Sequence, residues 1–175
     1  LDGQLKKEQI SNLDLLKSST SGTITSEGAN FFMISSEEKE KSYAEILSVT
    51  IQNKLEKEDL VPWTNDFLQT NNLKNSQIDC LILGNNGDNR YDDFYGTLQE
   101  YFTASTQLAY KQLVGDYNSV SSYAVWLACK IFKTNACPEV FKLNKIPCHR
   151  PEFILLYNQY LGKNHSLTLL KNSEL

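Results

Sequence analysis

Apolar positions along the chain fall into short runs of strand length and longer stretches with helical spacing. Ala29–Ser35 (ANFFMIS) is an apolar run behind the turn-rich stretch SSTSGTITSEG, and Tyr43–Gln52 alternates and carries β-branched residues. Both are predicted as strands. Asp59 is placed to cap a helix reaching Leu73, with Leu60, Trp63, Phe67 and Leu68 forming its apolar stripe. Ile78–Gly84 is nearly continuous apolar, the pattern of a strand buried on both faces. NNGDN then breaks the chain before a predicted helix over Asp92–Phe102. A longer helix, Ser119–Lys133, follows from Val120, Ala124, Leu127 and Ile131 at helical spacing, its stripe widened by Tyr123, Ala128 and Phe132. Glu152–Asn158 and His165–Asn172 read as the two strands of a hairpin around the turn QYLGKN. Residues Thr134–Pro151 hold three of the four prolines and are expected to be the flexible stretch.

This order predicts an α/β fold, a layered mixed sheet with flanking helices and a closing β-hairpin, in one domain spanning residues 1–175. Hydrophobic residues make up 41% and charged residues 22%, ordinary for a soluble globular chain. The net charge of -4, with the clusters Lys6–Lys7 and Lys39–Lys41 interleaved with glutamates, argues against a nucleic-acid partner. No apolar run approaches the roughly 20 residues of a membrane span. The opening LDGQLKKEQ lacks a signal-peptide core. A cytoplasmic location is the expectation.

Cys80 sits in an apolar strand and Cys129 on an apolar helix face, where thiols act as small hydrophobes. Cys137, Cys148 and His149 fit no zinc spacing and lack a fourth ligand, so no metal, no cofactor and reduced thiols are expected. GNNGDNRYDD lacks the Gly-Lys-Ser/Thr of a phosphate loop, and Asp88, Asp92 and Asp93 lack calcium-loop spacing. A surface turn feeding a helix is the reading.

The stretch YKQLVGDYNSVSSYAVWLACKIF (Tyr110–Phe132) carries unusual punctuation: a lysine, a Gly115–Asp116 corner, a small polar run, then the long helix. Three readings are open from the residues. Lys111 and Asp116 pair; or Gly115 makes a turn, Asp116 or Asn118 caps the helix and Lys111 is solvated; or Asp116, if buried, serves as an acid or base.

Four segments, in order, resemble the C-terminal half of a β-ketoacyl synthase of thiolase-like fold. Ser26-Glu27-Gly28-Ala29 resembles the family's Gly-Glu-Gly-Ala opening of an apolar strand. IDCLILGNNGDNRYDD sits where the family has a strand and then His-Gly-Thr-Gly/Ser-Thr. YKQLVGDYNSVSSYAVWLA resembles the Lys-x-x-x-Gly-His segment and its small-residue helix. YNQYLGKNHSLTLL resembles the closing Asn-Ser-Phe-Gly-Phe-Gly-Gly turn and last strand.

What the resemblance implies is qualified by its departures. The family's cysteine nucleophile belongs to an N-terminal half that these 175 residues do not contain. Its first histidine falls on Gly84, or on Asn85 if the register slips by one, and its second on Asp116. The threonines of the first motif become Asn86 and Asp88, whereas the family lysine persists as Lys111. In the closing turn Asn158 matches the family asparagine, and Tyr160 or Leu161 replaces the gating phenylalanine. Lys111 and Asp116 are thus the candidate catalytic positions, and Gly84 and Asn158 the candidate substrate-binding ones. Of the two histidines, His149 and His165, the latter begins a strand, where a structural or solvent-facing role is commoner than a catalytic one.

The resemblance implies three functions. One is a catalytically degenerate ketosynthase-like half in fatty-acid, polyketide or polyene synthesis, acting as an accessory or chain-length factor does. Another is the C-terminal part of an active condensing enzyme whose cysteine lies upstream. The third is a non-catalytic module binding acyl groups or carrier protein. The implied partners are an N-terminal half or a ketosynthase subunit, in a dimer or hetero-oligomer, and an acyl carrier protein. The apolar face of the helix at Val120–Phe132 is expected to be the exposed interface of a lone half.

Overall fold

Five strands form one mixed sheet in the computed structural model, which describes residues 4–37 and 42–174; the Lys39–Lys41 cluster lies outside the described residues. The strands are β1 (Ala44–Asn53), β2 (Cys80–Leu83), β3 (Thr106–Ala109), β4 (Phe153–Tyr160) and β5 (Asn164–Asn172), in the order β1-β5-β4-β2-β3. β2 pairs in parallel with β3 and β4, whereas β5 runs antiparallel to both β4 and β1. The helices are α1 (Leu60–Thr70), α2 (Asp92–Tyr101), the single turn α3 (Lys111–Val114) and α4 (Ser121–Thr134).

The continuous apolar run of β2 is explained by its position between two helical layers. Cys80 and Ile82 face one core with Leu108, Ile154, Leu156 and the inner stripe of α4. Leu81 and Leu83 face the other, with Leu155, Tyr157, Leu167, Leu169 and the apolar sides of α1 and α2. Alternate residues of one strand therefore serve opposite faces, and neither face is left to water. The layered α/β class, the closing hairpin and most predicted elements hold within a residue or two. The hairpin turn has positive φ at Leu161 and at Gly162, and a Cβ at Gly162 would lie 2.9 Å from the Tyr91 ring, so the glycine is required there.

Several expectations are corrected. Ala29–Ser35 is not a strand: among the described residues it joins no sheet, and Phe31, Met33 and Ile34 are 93%, 103% and 82% exposed. Apolar run length alone does not make a strand; the segment must also pair with a neighbouring edge. Asp59 precedes α1 without a side-chain cap, because a 3-10 turn over Lys57–Asp59 leads into the helix instead. β3 and α3 are elements that the apolar pattern does not announce. β3 is a four-residue, wholly buried strand with no alternation to read.

The apolar stripe of α4, expected to be exposed, is buried against the chain's own sheet: Val120, Ala124, Leu127, Ala128, Ile131 and Phe132 all lie in the core. Its outer side instead carries Trp126 and Cys129.

The proline-bearing stretch between α4 and β4 is held along the outer edge of β3. Leu143 N donates to Gln107 O (2.8 Å), Asn144 Oδ1 accepts from Gln107 N (3.1 Å), and Thr106 Oγ1 donates to Ile146 O (3.1 Å). Cys137 and Cys148, expected as thiols, form a disulfide across the Ala136–His149 bridge, with Cα atoms 5.8 Å apart. The antiparallel bridge explains the correction, since it brings the two Cα atoms to ordinary disulfide spacing. Cys80 and Cys129 remain free.

Closing a loop of 11-residue separation removes chain entropy from the unfolded state. Cys137→Ser is therefore expected to lower unfolding free energy by about 2–3 kcal/mol in non-reducing urea titrations, and the difference should vanish in reducing buffer.

Candidate functional site

The site lies at the ends of β2, β3 and β4, where three connections converge. β2 ends at Leu83, and the chain turns through Gly84, whose N–H donates to Tyr157 O of β4 (3.0 Å). The Tyr95 hydroxyl of α2 donates to Gly84 O at 2.8 Å. A Cβ on residue 84 would fall 2.0 Å from Asn158 Oδ1 and 3.4 Å from the Tyr95 oxygen. Asn158 of β4 thus occupies the volume into which any side chain at position 84 would project. Its Oδ1 is buried without a hydrogen-bond partner, as is Oδ1 of Asn85.

β3 delivers Lys111 at the start of α3, where it is 3% exposed. Its Nζ lies 3.1 Å from Asp116 Oδ1. The other carboxylate oxygen, Oδ2, accepts from Asn86 Nδ2 at 2.7 Å. The corner that makes this possible is Gly115, with φ of 73°, where a Cβ would sit 2.5 Å from Ser26 Cβ. Residues 24–26 strap Asp116 from outside: Asp116 N donates to Ile24 O (2.9 Å) and Ser26 N to Asp116 O (3.2 Å). Of the sequence readings, the ion pair is formed and the solvated-lysine alternative is not. Lys111 is not solvated, and α4 begins after Val120 with no side-chain cap from Asp116 or Asn118.

Burial pushes the Lys111 ammonium down from its ordinary range, and the charge and hydrogen bond of Asp116 oppose that shift. Desolvation disfavours a lone buried cation, and the paired carboxylate restores part of what water supplied. Above the pair, Tyr110 is fully buried with no hydrogen-bond partner for its hydroxyl. Burial, with Tyr95 and Asp116 nearby, raises its phenol further, so it stays neutral.

The connection Gly84–Asp92 is clamped rather than open. Lys6 Nζ donates to Gly87 O (2.6 Å) and Thr23 Oγ1 to Asn86 O (2.7 Å). Asp88 takes Arg90 through both carboxylate oxygens (2.9 and 2.5 Å). Burial alone would raise the Asp88 carboxyl, but the Arg90 bond and charge, with backbone donors, hold it below the usual range. Asp92 is pushed up to about 6 by burial, with the Asp88 and Asp93 charges adding. Among the described residues no group of three or more His, Cys, Asp or Glu could hold a metal ion.

The structure brings together all four candidates: Lys111 with Asp116, Gly84 with Asn158, and Asn86 linking the two pairs through the same short connection. It adds Tyr95 and Tyr110, which carry no sequence signal beyond an apolar helix position and a strand end. His165 is excluded from the site. It is fully buried, its Nδ1 lies 2.9 Å from the Tyr157 hydroxyl, and its ring packs 4.8 Å from Phe94, on the opposite face of the sheet from α4. Burial lowers its pKa. His149 is exposed and only its backbone bridges Ala136.

No protein-family model matches the sequence, and no curated protein matches it either. Solved structures do share the fold. The ishigamide ketosynthase/chain length factor superposes with a TM-score of 0.70 at 14% identity, over 98% of this chain and 49% of that one. A β-ketoacyl synthase from Burkholderia phymatum gives 0.63 at 12% identity, over 74% of this chain and 37% of that one. A type II polyketide synthase acyl-carrier protein in complex with its ketosynthase bound to the hexaketide gives 0.59 at 12% identity, over 74% and 38%. The chain has the thiolase-like fold of these ketosynthases and spans half or less of their length. Among the described residues no helix is long and apolar enough to cross a membrane.

Removing Asp116 strands the buried Lys111 charge. Asp116→Ala is expected to cost about 3–5 kcal/mol in urea unfolding, and the double replacement Lys111→Met with Asp116→Leu to recover most of it. Near-additive single and double effects would show that the pair is not coupled.

Proposed function

We propose that the chain is a ketosynthase-like half that has lost the condensing site and acts in fatty-acid, polyketide or polyene assembly as an accessory, in the manner of a chain-length factor. The observation that carries this reading is the closed contact set Lys111–Asp116–Asn86, with Asn158 filling the space beside Gly84. Decarboxylative condensation develops negative charge on a thioester oxygen, which needs hydrogen-bond donors aimed at it. An ionised Asp116 only accepts, and it sits where that charge would be repelled. The lysine that could offset it is already paired. At position 84 no donor side chain can be accommodated while Asn158 keeps its place.

The shared fold with a ketosynthase/chain length factor supports the reading by analogy, since fold alone does not specify chemistry. In this account the partner is a ketosynthase-like half or subunit that supplies the nucleophile, and the substrate arrives on an acyl carrier protein. The half-length match keeps a second reading open: an upstream half in the same frame carries a cysteine, and these residues complete its site.

The test is a condensation assay with acyl- and malonyl-carrier protein thioesters. Supplied alone, the protein is expected to form no product; added to its condensing ketosynthase partner, it is expected to shift the length of the product. Product formation by the full coding frame without a partner, abolished by Lys111→Ala, supports the second reading and overturns the first.

A further inference from the structure

The Cys137–Cys148 bond closes the neck of the segment that covers the outer edge of β3. Residues 137–148 leave the end of α4, run along β3 and return toward β4. Their bonds to β3 fall in the middle of the excursion. Besides the contacts of Leu143, Asn144 and Ile146 given above, Asn144 Nδ2 donates to Ser105 O (2.9 Å), and Lys142 forms an antiparallel bridge with Leu108. At the neck the two arms are joined by the Ala136–His149 bridge and by the disulfide.

Both cysteines are buried, yet each lies one residue below the surface. Ala136 and Pro138 flank the first, Pro147 and His149 the second, and all four are exposed. The charge carried between residues 137 and 150 is cationic: Lys142, Lys145 and Arg150 outnumber Glu139, which Lys142 already holds. Positive charge favours a departing thiolate, and near-surface disulfides of that kind are the reducible ones. What the bond secures lies close to the candidate site. Phe141, inside the segment, packs 6.4 Å from Tyr123, which stacks 6.0 Å from Tyr110. Tyr110 directly precedes Lys111, and its carbonyl accepts from the N–H groups of Leu113 (3.0 Å) and Val114 (3.2 Å) in α3.

We propose that Cys137–Cys148 is a reversible thiol–disulfide exchange site, reduced by a small thiol of the glutathione class, that sets how firmly the segment holds β3 and the Tyr110 corner. A glutathione thiolate attacks one sulfur; the S–S bond breaks, leaving a mixed disulfide and the other cysteine as a thiolate. A second glutathione attacks the mixed disulfide, freeing the remaining cysteine and forming glutathione disulfide. The two glutathione thiols are oxidised and supply both electrons and the protons that the cysteines take up. Reduction reopens a loop of 11-residue separation, so the contacts at 142–146 alone must order its arms. Phe141 precedes those contacts, on an arm that the bond tethers. The oxidised form therefore keeps Tyr110 and α3 fixed, and the reduced form loosens them.

The test incubates the folded protein with reduced glutathione at cellular concentration, then counts free thiols by alkylation in denaturant and mass spectrometry. The count is expected to rise from two, Cys80 and Cys129, to four. Amide exchange is followed in both forms. On reduction, exchange at Leu143, Leu113 and Val114 should rise at least about tenfold more than at Leu155 and Leu169 in the central strands. Cys137→Ser combined with Cys148→Ser should show the reduced pattern with or without glutathione. A bond that glutathione does not reduce while the protein stays folded overturns the inference and marks a structural staple. Exchange that rises uniformly, or at Leu143 but not in α3, overturns it too. So does a double variant that still responds to glutathione, since the sensitive thiol is then Cys80 or Cys129.

Discussion

A single ion pair, the buried Lys111 with the partly covered Asp116, organises the end of the sheet where the connections meet. It can form only because β3 delivers the lysine into the interior and Gly115 turns the chain back through positive φ. The carboxylate then has one oxygen on Lys111 and the other on Asn86, which ties the connection after β2 to the corner after β3. The strap at residues 24–26 closes over the same aspartate. A charge removed from water needs its partners fixed, and that requirement makes the surrounding loops rigid.

Position 84 adds a steric constraint to this electrostatic one. Restoring a side chain there requires Asn158 to leave, and Asn158 belongs to the central strand β4, which pairs on both sides. The end of the sheet is thus fixed both by an ion pair and by close packing at Gly84.

Much of the fold was legible in the pattern of apolar positions. β2 reads as doubly buried because it is so, and α4 reads as amphipathic because its stripe meets the sheet. The ordered signatures also placed Lys111, Asp116, Gly84 and Asn158 together. What the pattern could not convey was relation. Ala29–Ser35 has the composition of a strand, but whether a strand forms depends on an edge within reach. Helical spacing identifies the stripe of α4 without saying that the chain's own sheet covers it. The Cys137–Cys148 bond depends on the Ala136–His149 bridge, a long-range pairing that spacing in sequence does not encode. Nor does sequence spacing reveal that Asn158 projects toward Gly84.

The central claim, that the pairing of Lys111 and Asp116 has replaced condensing chemistry, is tested most directly by carbon dioxide release from a malonyl-carrier protein thioester. The protein is expected to release it no faster than buffer does. Release that scales with protein concentration and is lost in Asp116→Asn would contradict the account, because it would make the paired aspartate a working group.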